Sequence, residues 1–195
     1  MSSPDSKLPT FAELYAEIEA LPQGMTGEIL GPGDLRAMPR PGGRHSYTSM
    51  KAARALSDRN LVFGGTGWWI EVEREIQFPD DRLYVPDLAG WRVAEQPDFV
   101  DANPITVPPD WACEILSRST QRADRVLKLP YYARNGVGHV WIIEPEARTV
   151  EVYESRDGVA SLVATASGAD IATLPPFDLC IDLGALWKPE RDNAA

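Results

Sequence analysis

The chain predicts an α/β domain, and three observations carry the prediction. Apolar runs of strand length recur at Leu83 to Ala89, Trp111 to Leu116 and Val137 to Ile143. Stretches with helical periodicity precede and separate them, at residues 11–20, 45–57 and 119–135. Short strands joined by tight turns occupy residues 25–38 and 149–165, adding hairpins to the layered core.

The first helix follows from Thr10-Phe-Ala-Glu13, a capping-box spacing in which a hydroxyl and a carboxylate satisfy free N–H groups of the first turn. Phe11, Leu14, Tyr15, Ile18 and Leu21 then recur at helical intervals until Pro22 and Gly24 end the element. Met25 to Leu30 and Leu35 to Met38 flank Gly31-Pro-Gly-Asp34, so a hairpin is expected with Glu28 in its first strand. A second helix is expected from His45 to Ser57, with Tyr47, Met50, Ala53 and Leu56 along its apolar side. Gly64-Gly-Thr-Gly67 lacks the GxxxxGK[ST] or GxGxxG spacing of a phosphate loop and reads as a turn. Trp68 to Phe78 alternates apolar and charged residues, which is strand chemistry with a wet face.

Pro79 to Arg82 turns the chain into the Leu83 run, which holds Asp87 directly after Pro86 and extends toward Val93. Residues 94–109, polar and rich in Pro and Asp, read as a surface loop. After the Trp111 strand, Ser117, Ser119 and Thr120 start a helix that runs to Asn135 and stops at Gly136. Pro130 should kink or divide that helix, since its ring removes a hydrogen bond and crowds the preceding turn. Val137 to Ile143, Thr149 to Tyr153 and Val159 to Thr165 form a three-strand meander, and Ile181, Leu183, Leu186 and Trp187 close the core. The domain is expected over residues 10–188, with 1–9 and 189–195 as flexible tails.

A chain of 195 residues, 44% hydrophobic and 25% charged, can bury a sizeable core without crosslinks. Its two cysteines, Cys113 and Cys180, lie in apolar runs without CxxC spacing, so reduced core thiols are expected rather than a disulfide or zinc site. The first nine residues lack an apolar signal core and no apolar run reaches membrane-span length, so a cytoplasmic protein is expected. A net charge of −10 argues against a protein that coats nucleic acid generally, because phosphate neutralisation needs excess Lys and Arg. Locally the balance reverses: Arg118, Arg122, Arg125, Lys128 and Arg134 stand against Asp124 alone, in what is otherwise read as a solvated helix face.

Two apolar runs are each interrupted by one acid, and these positions carry the chemistry. On the Trp111 strand Glu114 shares a face with Ala112 and Leu116, opposite Cys113 and Ile115. A carboxylate there has a large desolvation penalty unless positive charge meets it. The candidates are a divalent cation and the Lys128 ammonium. With Asp87 on a neighbouring strand, Glu114 would complete an oxygen-ligand pair for Mg²⁺ or Mn²⁺.

These residues resemble the active site of the PD-(D/E)XK nuclease superfamily, and most closely its Uma-two branch. The resemblance rests on Glu28, Pro86-Asp87, Glu114-Ile-Leu-Ser-Arg-Ser-Thr120, Asp124 to Lys128, Tyr132, Gly136-Val137 and His139-Val-Trp141, with Arg44-His45 before the second helix. It spans Thr26 to Tyr153. The superfamily's usual lysine, two residues after the Glu, is Leu116 here; the branch moves that ammonium to the next helix, where Lys128 stands. The resemblance implies a restriction-endonuclease-like mixed sheet flanked by helices. It implies a Mg²⁺-dependent endonuclease acting on nucleic acid, chiefly DNA, with Mn²⁺ as substitute. Asp87, Glu114 and the Ile115 carbonyl would hold the ion, Glu28 would orient a second ion or a water, and Lys128 would offset developing negative charge.

Structural roles compete with these. Asp87 can simply end a strand, Glu114 can pair with Lys128 as a structural ion pair, and Asp124 can support a metal or pair with Lys128 one turn on. His45 reads as a helix-start or surface histidine, His139 as a strand residue, and Trp111 and Trp141 as core. The alternative functions are a catalytically silent binding or dimerisation module and a sheet-based sugar or small-molecule binder. Exposed strand edges and hairpins also invite a homodimer.

Overall fold

The computed structural model describes residues 7–189 apart from 41, 57–66, 97, 99 and 100. Helix α1 (Phe11–Glu19) starts at the expected capping box: the Thr10 hydroxyl accepts from the Glu13 N–H, and the Glu13 carboxylate accepts from the Thr10 N–H at 2.7 Å. Its buried Leu14 and Ile18 pack on the hairpin of β1 (Met25–Gly31) and β2 (Asp34–Pro39). The approach is close enough that a Cβ at Gly27 would come within 2.7 Å of Ile18 Cγ1. In the hairpin register Glu28 stands directly opposite Arg36.

The hairpin joins β4 (Ile76–Gln77) and β5 (Leu83–Tyr84) in a four-stranded sheet of order β2-β1-β5-β4. The central sheet has six strands: β3 (Trp68–Val72), β6 (Leu88–Arg92), β7 (Trp111–Ile115), β8 (His139–Glu144), β9 (Thr149–Arg156) and β10 (Val159–Ser167). Their order is β10-β9-β8-β7-β6-β3, and only β7 and β8 run parallel, so the sheet is mixed as expected. A short pair, β11 (Ile171–Thr173) with β12 (Cys180–Asp182), lies near the C-terminus.

The parallel pair requires a crossover, and the segment that makes it is helical. It consists of α3 (Gln121–Ala123), a wide π turn (Asp124–Lys128) and α4 (Leu129–Arg134). Pro130 therefore divides the helix: it sits in the first turn of α4, where a missing N–H has little to lose, and the π turn absorbs the change of register.

Side-chain alternation along β7 sends residues into two cores. Trp111, Cys113 and Ile115 pack with Trp141, with Ala52 and Leu56 of the α2 region (helix Arg44–Ala55), and with Phe177, Leu183, Leu186 and Trp187. Trp111, Trp141 and Phe177 meet edge to face with ring centroids 5.0–5.5 Å apart, each pair contributing about 0.5–1.5 kcal/mol beyond its buried area. On the other face Ala112, Leu116, Val140 and Ile142 pack with Leu129, Tyr131 and Tyr132 of α4 and with Phe78 and Tyr84 of the smaller sheet.

Several expectations are corrected. Trp68 to Phe78 is two strands in different sheets, because Glu73 adopts φ 49° and ends the ladder. The Leu83 run is likewise divided between β5 and β6: Pro86 has no N–H for a ladder, and Asp87 lies at the bend just before β6. The buried side of α2 is Thr48, Ala52 and Leu56, while Met50 is 57% exposed. Small residues let the helix approach closely, and the Thr48 hydroxyl donates to the Leu186 carbonyl at 3.3 Å. Cys113 is a core thiol, but Cys180 is exposed on β12, and both are free. Arg125 is neutralised by Glu144 and Glu151, and Arg118 by Glu146, so much of the basic segment is already paired. The expected glycine turn at 64–67 lies, apart from Gly67, outside the described residues, as do most of both tails. No helix among the described residues is long and apolar enough to cross a membrane.

Candidate active site

Four elements converge on one ammonium. Glu28 points inward from β1, where a Val85 N–H donates to its Oε1 at 3.0 Å. Glu114, next to last in β7, accepts the Tyr132 hydroxyl at 2.6 Å on Oε1. The π turn places both Asp124 and Lys128 on the inner side, and the Lys128 Nζ reaches all three acids: Glu28 Oε1 at 2.7 Å, Glu114 Oε1 at 3.2 Å and Asp124 Oδ1 at 3.5 Å. All four side chains are buried.

Burial would pull the Lys128 pKa down, but the charges of Glu114, Glu28 and Asp124 outweigh it and hold the ammonium protonated well above its usual range. Burial pushes Glu114 well up; Lys128 opposes this, and Asp124, Asp87 and Glu28 add to it. Asp124 is raised for the same first reason, against Lys128 and a hydrogen bond from Thr120. One buried cation is thus shared among more acids than it can neutralise.

Asp87 approaches from the neighbouring strand. The last antiparallel pair between β6 and β7 is Leu88 with Cys113, so Asp87 arrives beside Glu114, and its Oδ2 accepts the Ile115 N–H at 2.6 Å. Its Oδ1 lies 3.2 Å from Nε2 of His45, at the start of α2. The other nitrogen of the His45 ring, Nδ1, is buried without a hydrogen-bond partner among the described residues. Burial lowers the His45 pKa, but the hydrogen bond and charge of Asp87 more than compensate and the net shift is upward.

The structure therefore brings Glu28, Glu114 and Lys128 into direct contact, adds Asp124 to them, and seats Asp87 against Ile115; all five acids and bases, with His45, line one cavity of about 400 Å³. His45 is neither a mere helix start nor a surface residue. Its side chain is 10% exposed and faces Asp87, and the Arg44-His45 step that carried part of the resemblance gave it no role. Tyr132, which fixes the Glu114 carboxylate, was visible as a motif residue without a role. His139 is the strand residue expected, and Trp111 and Trp141 are core.

The donor set suits a hard divalent cation: carboxylates and a main-chain carbonyl, without thiolate. Asp87, Glu114, Glu28 and Asp124 gather four carboxyl groups around Lys128 and His45, and burial with mutual repulsion favours the neutral form of Glu114 unless further positive charge reaches it. Among the described residues no three acidic, histidine or cysteine side chains stand in ready ligand geometry. Lys128 fills the space between Glu28 and Glu114, and His45 takes one oxygen of Asp87.

The Uma2 family, described as "Putative restriction endonuclease", matches residues 12–183. Among solved structures, that of a "putative nuclease belonging to DUF820" from Anabaena variabilis ATCC 29413 superposes with a TM-score of 0.69. The alignment has 21% identity and covers 91% of this chain and 97% of the other. No curated protein matches the chain. At that identity the likeness speaks to fold, and the fold is the restriction-endonuclease-like mixed sheet expected.

Proposed function

The chain belongs to the Uma2 family, and from that membership and the carboxylate–lysine cage we propose that it hydrolyses phosphodiester bonds of nucleic acid, DNA in the first place, with Mg²⁺ or Mn²⁺. The single observation that carries this reading is the convergence of Glu28, Glu114 and Asp124 on Lys128 beside Asp87, at the floor of a cavity open to solvent. Acids gathered around one ammonium suit a divalent cation, and metal-assisted phosphodiester hydrolysis uses one to activate water and offset phosphate charge.

Asp87, Glu114 and the Ile115 carbonyl would hold the ion, which when bound acidifies a water and draws charge from the scissile phosphate. Lys128 would offset the negative charge that grows as water loses its proton. Glu28, held by the Val85 N–H, would orient that water. Tyr132 holds Glu114 in one rotamer, and His45 does the same for Asp87.

The competing reading is a silent nuclease-fold binding module. The observation in its favour is that Lys128 and His45 already satisfy oxygens the cation would need. The two separate in one experiment: the purified protein is incubated with single-stranded, duplex and branched DNA and with RNA, plus Mg²⁺ or Mn²⁺, beside Asp87→Ala. Cleavage abolished by the substitution is expected. Cleavage that survives it, or no cleavage of any substrate, defeats the nuclease reading.

A further inference from the structure

Two arginines flank the acid cage, and among the described residues neither meets a carboxylate. Arg36 stands on β2 opposite Glu28, so it projects from the same face of the hairpin, and its one hydrogen bond among the described residues is to the Ser119 carbonyl at 3.2 Å. A guanidinium has five donors, so most of this one remains available. Arg44, the exposed first residue of α2, lines a second cavity of about 210 Å³. Their neighbours differ: Arg40 is taken by Glu73 at 2.6 Å and Arg118 by Glu146 at 3.4 Å.

The two cavities share Gly42, His45 and Ser117, so they adjoin and form one groove running past Asp87. Arg36 lines the part over the acids and Arg44 the part beyond His45. An acidic floor repels phosphate, whereas a guanidinium on each side of it would grip phosphate oxygens with paired N–H donors.

Depth decides which form of nucleic acid fits. The floor acids Glu28, Glu114 and Asp124 are only 2–3% exposed, so a phosphate must descend into the cavity to reach them. In a duplex, phosphates are carried on a rod that stays stiff over about 150 base pairs. An unpaired strand bends freely, and a cavity of about 400 Å³ is of the size that accommodates one small-molecule-sized unit. Resting on the nuclease reading above, we infer that the groove is a channel for a single unpaired nucleic-acid strand, with Arg36 and Arg44 holding its phosphates on either side of the acid cage.

The test is binding rather than turnover. A fluorescein-labelled single-stranded oligonucleotide and its duplex are titrated by fluorescence anisotropy in Ca²⁺, with gels confirming that the probe stays intact. The single strand should bind at least tenfold more tightly than the duplex. Arg36→Ala and Arg44→Ala should each weaken single-strand binding about tenfold, and each should lower the slope of log K against log salt by about 0.7, the value for one lost phosphate contact. Arg156→Ala, at an exposed site lining neither cavity, should change nothing, and matching melting curves exclude misfolding. Duplex binding as tight as single-strand binding overturns the channel, as does an Arg36→Ala/Arg44→Ala double variant with unchanged affinity and slope; in both cases cleavage by the wild type leaves the nuclease reading standing. A wild type that neither binds nor cuts either form overturns both.

Discussion

Lys128 Nζ lies 2.7 Å from Glu28 Oε1, and this contact ties the β1–β2 hairpin to the crossover between the parallel strands. The same ammonium serves Glu114 and Asp124. Lys128→Met keeps most of the side-chain volume but leaves three buried acids without their cation. In metal-free buffer at neutral pH the variant should lose about 3–5 kcal/mol by urea denaturation. Because burial already raises Glu114 and Asp124, protonation at lower pH relieves their repulsion, so the penalty should shrink as pH falls. A loss below about 1 kcal/mol at neutral pH would mean that the cage is solvated rather than closed.

Cation binding should be measurable as stability, independently of turnover. An ion that binds only the folded chain stabilises it by about 2.7 kcal/mol at a hundred times its dissociation constant. Mn²⁺ should therefore raise the melting temperature of the wild type in a concentration-dependent way. Asp87→Asn and Glu114→Gln should each remove most of the shift, because each deletes one charged ligand of the proposed set. Equal shifts in wild type and both variants would place the ion elsewhere.

The strand Trp111 to Leu116 was legible because a single acid in an apolar run is a local signal, and alternation alone assigned its two faces. The division of the helix was legible too, since Pro130 acts within its own turn. What the sequence withheld depended on partners far away in the chain. Nothing local distinguishes His45, which is buried only because α2 docks next to Asp87, from a solvent-facing histidine at a helix start. Asp124 was ambiguous because the i,i+4 spacing to Lys128 is the same whether the pair lies on a solvated helix face or in a buried cage, and only Glu28 and Glu114, from distant strands, decide between them. The runs at 68–78 and 83–89 looked continuous because hydrophobic pattern carries no record of which sheet a strand joins.

His139 offers a pH signature away from the site. It opens β8, its Nδ1 is buried without a hydrogen-bond partner among the described residues, and burial lowers its pKa below 6.5, with Glu154 opposing and Arg92 reinforcing. The unfolded chain therefore binds the proton more readily than the folded one. Stability from the neutral ring is complete above pH 6.5 and declines as pH falls from there toward the lower folded value. In His139→Gln this loss should vanish, so the variant gains on the wild type as pH drops from about 8 to about 5. Parallel stability curves for the two proteins across that range would refute the account.

The two cysteines should separate by rate. Burial raises the Cys113 thiol well above its usual pKa, with the charges of Asp87 and Glu114 adding to the effect, and the thiolate is the reactive form. Cys180 is exposed on a short strand, within reach of solvent. An aromatic disulfide reagent should therefore titrate one thiol promptly in the native protein and the second only as the chain unfolds. Cys180→Ser should abolish the prompt phase and leave the slow one. Because Cys113 shares β7 with Glu114, two prompt thiols in the wild type would show that this strand opens to solvent under native conditions, and a closed acid cage would then be untenable.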